Sequence, residues 1–320
     1  MLVHKNIENI TKKIPIISVI LPVFNSADHL SEAIESILKQ THSDFELIII
    51  YDESEDSSLK IIQKYSADDA RIIIVYGKKS GLSGALNLGL DMSVGEFIAR
   101  MDSDDISHPE RLATQLIHMR FKSLDICGCH WNVLDERGQL TDQVKASLTP
   151  ESIILDLCVT VPFCHGSVMI RKAALCGEGT YYSQSYITED YDLWVRLFNS
   201  GAKFGNVDSC LFSLRQSPDS LSVSNKSKVR LNSSQIGSDF VKNNSDLITK
   251  AILFQLDNID QLSRVRLERL SLASIYNIQN KQLLLSLKVL GRMNFLIGGK
   301  ALLKAIYFGC LRMKVWFLWE

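Results

Sequence analysis

"IISVILPVFNSADHLSEAIESILKQTHSDFELIIIY", residues 16–51, changes its periodicity twice. The flanks "IISVILPVF" and "FELIIIY" are short, near-continuous β-branched runs, the kind buried on both faces of a parallel sheet. Between them Leu30, Ala33, Ile34, Ile37 and Leu38 fall at helical spacing, with Asn25, Ser26 and Asp28 available as caps. "RIIIVY" (71–76) gives a third strand after a weaker stripe at Leu59, Ile62 and Tyr65. Strand, helix, strand, helix, strand predicts a doubly wound, mainly parallel α/β sheet flanked by helices.

Working outward, "SGLSGALNLGLDM" (80–92) reads as a loop entering a helix and "GEFIARM" (95–101) as a fourth strand. Directly after it, "ARMDSDDISHPERL" (99–112) sets Asp102, Asp104 and Asp105 within four positions. Neighbouring acids repel and cost desolvation if covered, so water, a cation or a turn must satisfy them. The carboxyl end of a strand is where open α/β sheets bind ligands, which favours a cation shared with a diphosphate over an Asx-type turn capping the next helix. Ser107 is the expected cap of that helix, with Pro109 in its first turn.

Further on, "LDICGCHWNVLDERGQLTD" reads as two strands around the Glu136-Arg137-Gly138 turn, and "TPESIILDL" as a helix capped by Thr149. "FCHGSVMIR", "AKFGNV" and "CLFSLR" read as three more strands. "TEDYDLWVRLFNSG" (188–201) is a helix closed by Gly201. On it Asp190 shares a face with Leu193, Trp194, Leu197 and Phe198, whereas Asp192 sits four before Arg196. An inward carboxylate at the mouth of the sheet is a candidate general base; the alternative is a group that bonds the first-turn amides.

The chain has 320 residues, 46% of them apolar, and 35 basic against 36 acidic residues for a formal charge of −1. That balance suits a packed globular chain and gives no sign of a nucleic-acid partner. Seven scattered cysteines read as buried thiols, the pair Cys127 and Cys129 included. The N-terminus lacks a signal-like apolar core, so a cytoplasmic location is expected. Strand signals stop near Ser222, which divides the chain into a sheet domain (14–225) and a helical extension (226–320). The last forty residues carry seven lysines and arginines against Glu320 amid aromatic residues. Such a segment suits either the inner face of an anionic membrane or packing on the sheet.

Together "ISVILPVFNSADHLSEAIESILKQTHSDFELIII", "GLSGALNLGL", "GEFIARMDSDDISHPERL" and "TEDYDLWVRL" resemble the family 2 glycosyltransferases, of GT-A fold, over about 16–222. The resemblance implies inverting transfer of one sugar from a nucleoside-diphosphate donor to a saccharide acceptor hydroxyl, on a lipid-linked acceptor of lipopolysaccharide, O-antigen or capsule assembly. It implies Pro22, Phe24 and Asn25 at the nucleotide, Asp52 at the base, Asp102 at ribose and cation, and Asp104 as main ligand of Mg²⁺ or Mn²⁺. It also implies Asp190 as base, Glu189 and His165 on the acceptor side, and Arg215 near the diphosphate. The chain departs from the family pattern at Tyr51 and Glu53, where Asp and Gly are usual, and at Ser217, where a histidine is common. It has no Gln-x-x-Arg-Trp motif, so a processive polymer synthase is not expected. The rival readings are a nucleotidyltransferase that makes nucleotide sugars and a non-catalytic nucleotide-sugar-binding protein.

Overall fold

A computed structural model describes residues 13–175, 181–217 and 225–257. Its first half is the predicted alternation: β1 (Ile17–Val23), α1 (Ala27–Leu38), β2 (Phe45–Tyr51), α2 (Ser58–Asp68), β3 (Ile72–Tyr76), α3 (Gly81–Met92) and β4 (Phe97–Arg100). These strands run parallel in the order β3-β2-β1-β4. The chain winds outward from β1 to β3 and then returns to the other side of β1. The switch point between β1 and β4 therefore opens beyond their carboxyl ends, where both the Pro22–Asn25 stretch and the acids of 102–105 lie.

Burial on both faces explains the continuous hydrophobicity of the strands. Ile17, Val19, Leu21 and Val23 point into one core with Leu30, Ala33, Ile34 and Ile37 of α1. Ile20, Ile48, Ile50 and Ile98 point into the other with Leu86 and Leu90 of α3. Packing, not capping, holds α1: none of its expected caps uses its side chain on the first turn. Each large apolar side chain buried contributes about 1.5–3 kcal/mol, against about 1 kcal/mol for a cap. The free amides are met from the next loop, Ala27 N donating to Asp56 Oδ2 at 2.8 Å and Ser26 N to Ser58 Oγ at 3.1 Å.

The second half continues as β5 (Ile106–Ser107), α4 (Arg111–Lys122), β6 (Ile126–Leu134), β7 (Leu140–Val144), α5 (Pro150–Leu157), β8 (Met169–Arg171), α6 (Glu189–Asn199) and β9 (Phe204–Arg215). Among the described residues the sheet has nine strands, extended beyond β4 as β8-β6-β9-β5, with β7 on β6. β8 runs antiparallel to both β4 and β6, and β9 runs parallel to β6. The hairpin turns at Gly138, φ +77°, and Thr149 accepts from Ser152 N, both as expected.

Three expectations are corrected. Ser107 does not cap a helix: it pairs with Phe212 in β5, α4 starts at Arg111, and the Ser107 Oγ accepts from Arg111 Nε at 2.7 Å. "AKFGNV" and "CLFSLR" belong to one strand, because a bulge opposite Cys129–Trp131 absorbs the polar interruption at Asp208 and Ser209. "FCHGSVMIR" is strand only from Met169; His165–Ser167 turn as a short 3-10 helix.

Helices α7 (Lys226–Asn243) and α8 (Ser245–Asp257) follow. Their Ile236, Phe240, Val241, Ile248 and Ile252 share a core with α5 and α6. Cys127, Cys129, Cys158 and Cys164 are buried free thiols, as expected, whereas Cys210 in β9 is a free thiol only half-buried; Cys176 and Cys310 lie outside the described residues. So does the basic C-terminal segment. No helix among the described residues is long and apolar enough to cross a membrane.

Candidate active site

The acid loop is built by β4, which delivers Asp102 to the sheet mouth, and by β5, which pins the loop's far end to β9. The three acids have different surroundings. Asp102 is partly exposed and pairs with Arg100. Asp105 is buried, and one of its oxygens accepts from Arg215 N at 2.7 Å. Asp104 lies between, its pKa raised by burial and by the neighbouring Asp102 charge. Burial and both neighbouring acids push Asp105 well above the carboxylate range, and its bond from Arg215 N braces the end of the loop.

Backbone room is part of this arrangement. A Cβ on Gly166 would stand 2.9 Å from Asp102 Oδ2, 3.0 Å from Asp105 Oδ2 and 2.7 Å from the Phe212 ring. Gly166→Ala is therefore expected to displace both carboxylates and to cost about 1–3 kcal/mol of stability, measured by urea unfolding.

These residues fit Mg²⁺ or Mn²⁺. Asp102 and Asp104 offer hard carboxylate oxygens from one loop, the donor type these ions take; among the described residues no group of three or more His, Cys, Asp or Glu stands together as a metal site. One or two carboxylates are the usual protein share for Mg²⁺, whose other positions go to water and phosphate oxygens.

Arg215 comes to the acid loop with its guanidinium engaged by protein groups. Its Nη2 donates to Glu32 Oε2 at 2.6 Å, its Nε to Asp104 O at 2.9 Å and its Nη1 to Glu136 O at 3.3 Å. The guanidinium is thus engaged by protein and ties α1, the acid loop and the β6–β7 turn together.

At the nucleotide side, Pro22 is buried in β1, while Phe24 is 61% exposed. Asn25, at φ +47°, accepts from Glu55 N with Oδ1 at 2.9 Å, lacing the β1–α1 loop to the β2–α2 loop. Asp52 is buried at the end of β2, where its Oδ1 accepts from Lys79 N at 3.3 Å. Glu53, in the place of the usual glycine, is exposed and paired with Lys79 at 2.7 Å.

The second acid station opens α6. Asp190 accepts from Tyr191 N with Oδ1 at 2.8 Å, and its other oxygen has no hydrogen bond among the described residues. Burial raises its pKa, opposed by that amide and by Arg100. A first-turn amide bond is thus present, and one oxygen remains available beside it. Asp192 is taken up by Arg196 at 2.9 Å, as the spacing predicts. Glu189 is the more buried of the pair, and burial with the Asp190 charge raises its pKa from 4.5 to about 7.

Glu189 carries a stability consequence. Between those two values the folded chain keeps a proton the unfolded chain has lost, so stability falls as pH rises through that window and is lowest above it. In metal-free buffer Glu189→Gln is expected to flatten this slope and to be about 2 kcal/mol more stable than the parent chain at pH 8, by urea unfolding.

Arg100 connects the stations, and sequence reasoning missed it. Burial disfavours its charge, but Asp102 beside it holds the guanidinium firmly protonated. Its charge also acts on Glu189, Asp190 and His165. The signal was available: in β4, Arg100 alternates with Ile98 onto a buried face, an address where a cation needs a partner. His165 completes the bridge. It precedes Gly166, and its Nδ1 is 3.9 Å from Glu189 Oε1. Asp102, Arg100, His165, Glu189 and Asp190 thus occupy one neighbourhood at the switch point.

Comparison with known proteins agrees with this geometry. Residues 18–177 match the model for "Glycosyl transferase family 2". Bacillus subtilis EpsE, named as a glycosyltransferase, is 34% identical over 64% of this chain and 74% of its own. The O-antigen biosynthesis glycosyltransferase WbnJ of Escherichia coli is 33% identical over 62% of this chain and 79% of its own. Among solved structures, the Pyrobaculum calidifontis mannosyltransferase PcManGT, in complex with GDP-Man and Mn²⁺, superposes with a TM-score of 0.57 at 14% identity, covering 96% of this chain and 88% of that one. With a GT-A-like sheet, an acid loop at its switch point and a family match across half its length, this chain is a glycosyltransferase and belongs to glycosyl transferase family 2.

Proposed function

We propose that the chain is a metal-dependent, inverting glycosyltransferase that moves one sugar from a nucleoside-diphosphate donor to an acceptor hydroxyl. The observation that carries this reading is the shared neighbourhood of the two acid stations, joined by Arg100 and by His165-Gly166. Asp190 takes the acceptor proton on its free oxygen while the acceptor oxygen bonds to the anomeric carbon. The bond from that carbon to the diphosphate oxygen breaks in the same displacement, which inverts the configuration. Mg²⁺ or Mn²⁺, held by Asp104 and Asp102, would neutralise the charge that develops on the departing diphosphate. Asp52, Phe24, Pro22 and Asn25 line the nucleotide side, and Glu189 and His165 the acceptor side.

A relative named for O-antigen biosynthesis supports surface polysaccharide assembly as the setting. A lipid-linked saccharide acceptor, met in the cytoplasm at the inner face of the cell membrane, suits that setting and the basic, aromatic composition of the last forty residues. Nucleotidyl transfer and non-catalytic binding are not favoured, since the relatives are named as transferases of sugars. The test is incubation with UDP- and GDP-sugars, Mn²⁺ and lipid-linked saccharides. Nucleoside diphosphate release with an inverted product is expected; pyrophosphate release from a sugar phosphate and a nucleoside triphosphate would contradict the reading.

A further inference from the structure

Tyr182 lies outside every motif that points to the active site, yet it is buried there and held from two directions. Its backbone is clamped by α3: Asn87 Nδ2 donates to Tyr182 O and Tyr182 N donates to Asn87 Oδ1, both at 2.9 Å. One turn earlier on that helix, Ser83 Oγ donates to Ser183 O at 3.3 Å. The Tyr182 hydroxyl stands 3.0 Å from His165 Nε2, and the opposite ring nitrogen is the one that faces Glu189. Trp194 packs edge-on against the same imidazole, at 6.1 Å and 82°. The ring is thus confined between a phenol, an indole and a carboxyl.

We propose that Tyr182, set in place by Asn87, is a positioning residue that acts through His165 to present an imidazole N–H to Glu189. The inference rests on the glycosyltransferase reading above, with Asp190 as base. Burial and Arg100 keep His165 neutral, so the ring has one N–H to place. Glu189 above about pH 7 is an acceptor only, which calls the N–H to Nδ1 and leaves Nε2 to accept from the tyrosine. The groups facing Glu189 and His165 are Asp190 on α6, Arg100 and Asp102 at the end of β4, and Tyr182. At 3.9 Å the His165–Glu189 approach is longer than a hydrogen bond, and such approaches often tighten when substrate binds. A Glu189 carboxylate drawn to Nδ1 is held off Asp190, whose free oxygen stays available for the acceptor proton.

The full chain labelled with ¹⁵N-histidine tests this at pH 8, with the His165 signals identified by their absence from His165→Gln. A neutral ring protonated on Nδ1 is expected, shifting toward Nε2 protonation in Tyr182→Phe. The same variant is expected to lose about tenfold in kcat with donor KM within about twofold, and to stay folded with a melting temperature only a few degrees lower, as befits one lost buried hydrogen bond. Asn87→Ala should lower kcat in the same way. A parent ring protonated on Nε2, or Tyr182→Phe turning over at the parent rate, would overturn the proposal. Absence of transfer by the parent chain would instead count against the glycosyltransferase reading, and the tautomer measurement would still decide the role of Tyr182.

Discussion

Asp190→Asn is expected to lower sugar transfer about 10³-fold while nucleoside diphosphate binding stays within about twofold, since a positioned general base contributes between about 10² and 10⁴. The change is nearly isosteric. The carboxamide oxygen can still accept from Tyr191 N, so the first turn of α6 keeps its bond and the fold is expected to hold. What is lost is the capacity to take a proton. Steady-state assays of diphosphate release, paired with calorimetric binding of UDP and GDP, separate the two effects. Wild-type turnover in this variant would remove Asp190 from the chemistry.

Asp104→Ala is the complementary case. Its side chain is expected to hold the cation, so the variant should lose Mn²⁺-dependent nucleotide binding and about 10²-fold or more in turnover. Arg215 approaches this residue through the Asp104 backbone carbonyl, and that bond survives the substitution. The loop therefore keeps its brace while losing one ligand. Thermal shift with UDP or GDP, with Mn²⁺ or EDTA, reads the effect. Parent-like Mn²⁺ dependence in this variant would move the cation elsewhere. The two variants should fail differently, one binding without reaction and the other failing at the metal-dependent step.

The legible part of the fold was whatever repeats locally. Doubly buried strands write themselves as Ile-rich runs, and α1 carries its inward stripe openly at Leu30, Ala33, Ile34 and Ile37. Thr149 and Gly138 announce a helix start and a turn because their side-chain and φ requirements are local. Ser107 looked like a cap for the same local reason, but β9 supplied a strand partner about a hundred residues away and won. The long β9 was hidden by a bulge, which breaks the alternation that marks a strand.

The site divided along similar lines. Asp102, Asp104 and Asp190 could be singled out by position on their own elements. What Arg215 does depends on Glu32 and the Asp104 carbonyl, both distant in sequence, so proximity to the acids was legible and its engagement was not. Tyr182 has no pattern at all; its role arises from Asn87 and His165, which only the tertiary structure assembles. Helix periodicity marked Asp190 as inward, and burial does raise its pKa; that Glu189 beside it is also buried comes from tertiary packing, which the helix pattern does not show.

The proposed mechanism requires one cleft to hold both the cation and the base. Anomalous diffraction at the manganese edge, from Asp190→Asn crystals grown with Mn²⁺ and UDP or GDP, tests it most directly. The expected result is a single Mn²⁺ peak on the Asp104 and Asp102 carboxylates, with the nucleotide diphosphate on the ion and the residue-190 carboxamide facing the same opening. A peak on other residues, or a nucleotide seated where residue 190 opens onto a different surface, would contradict it.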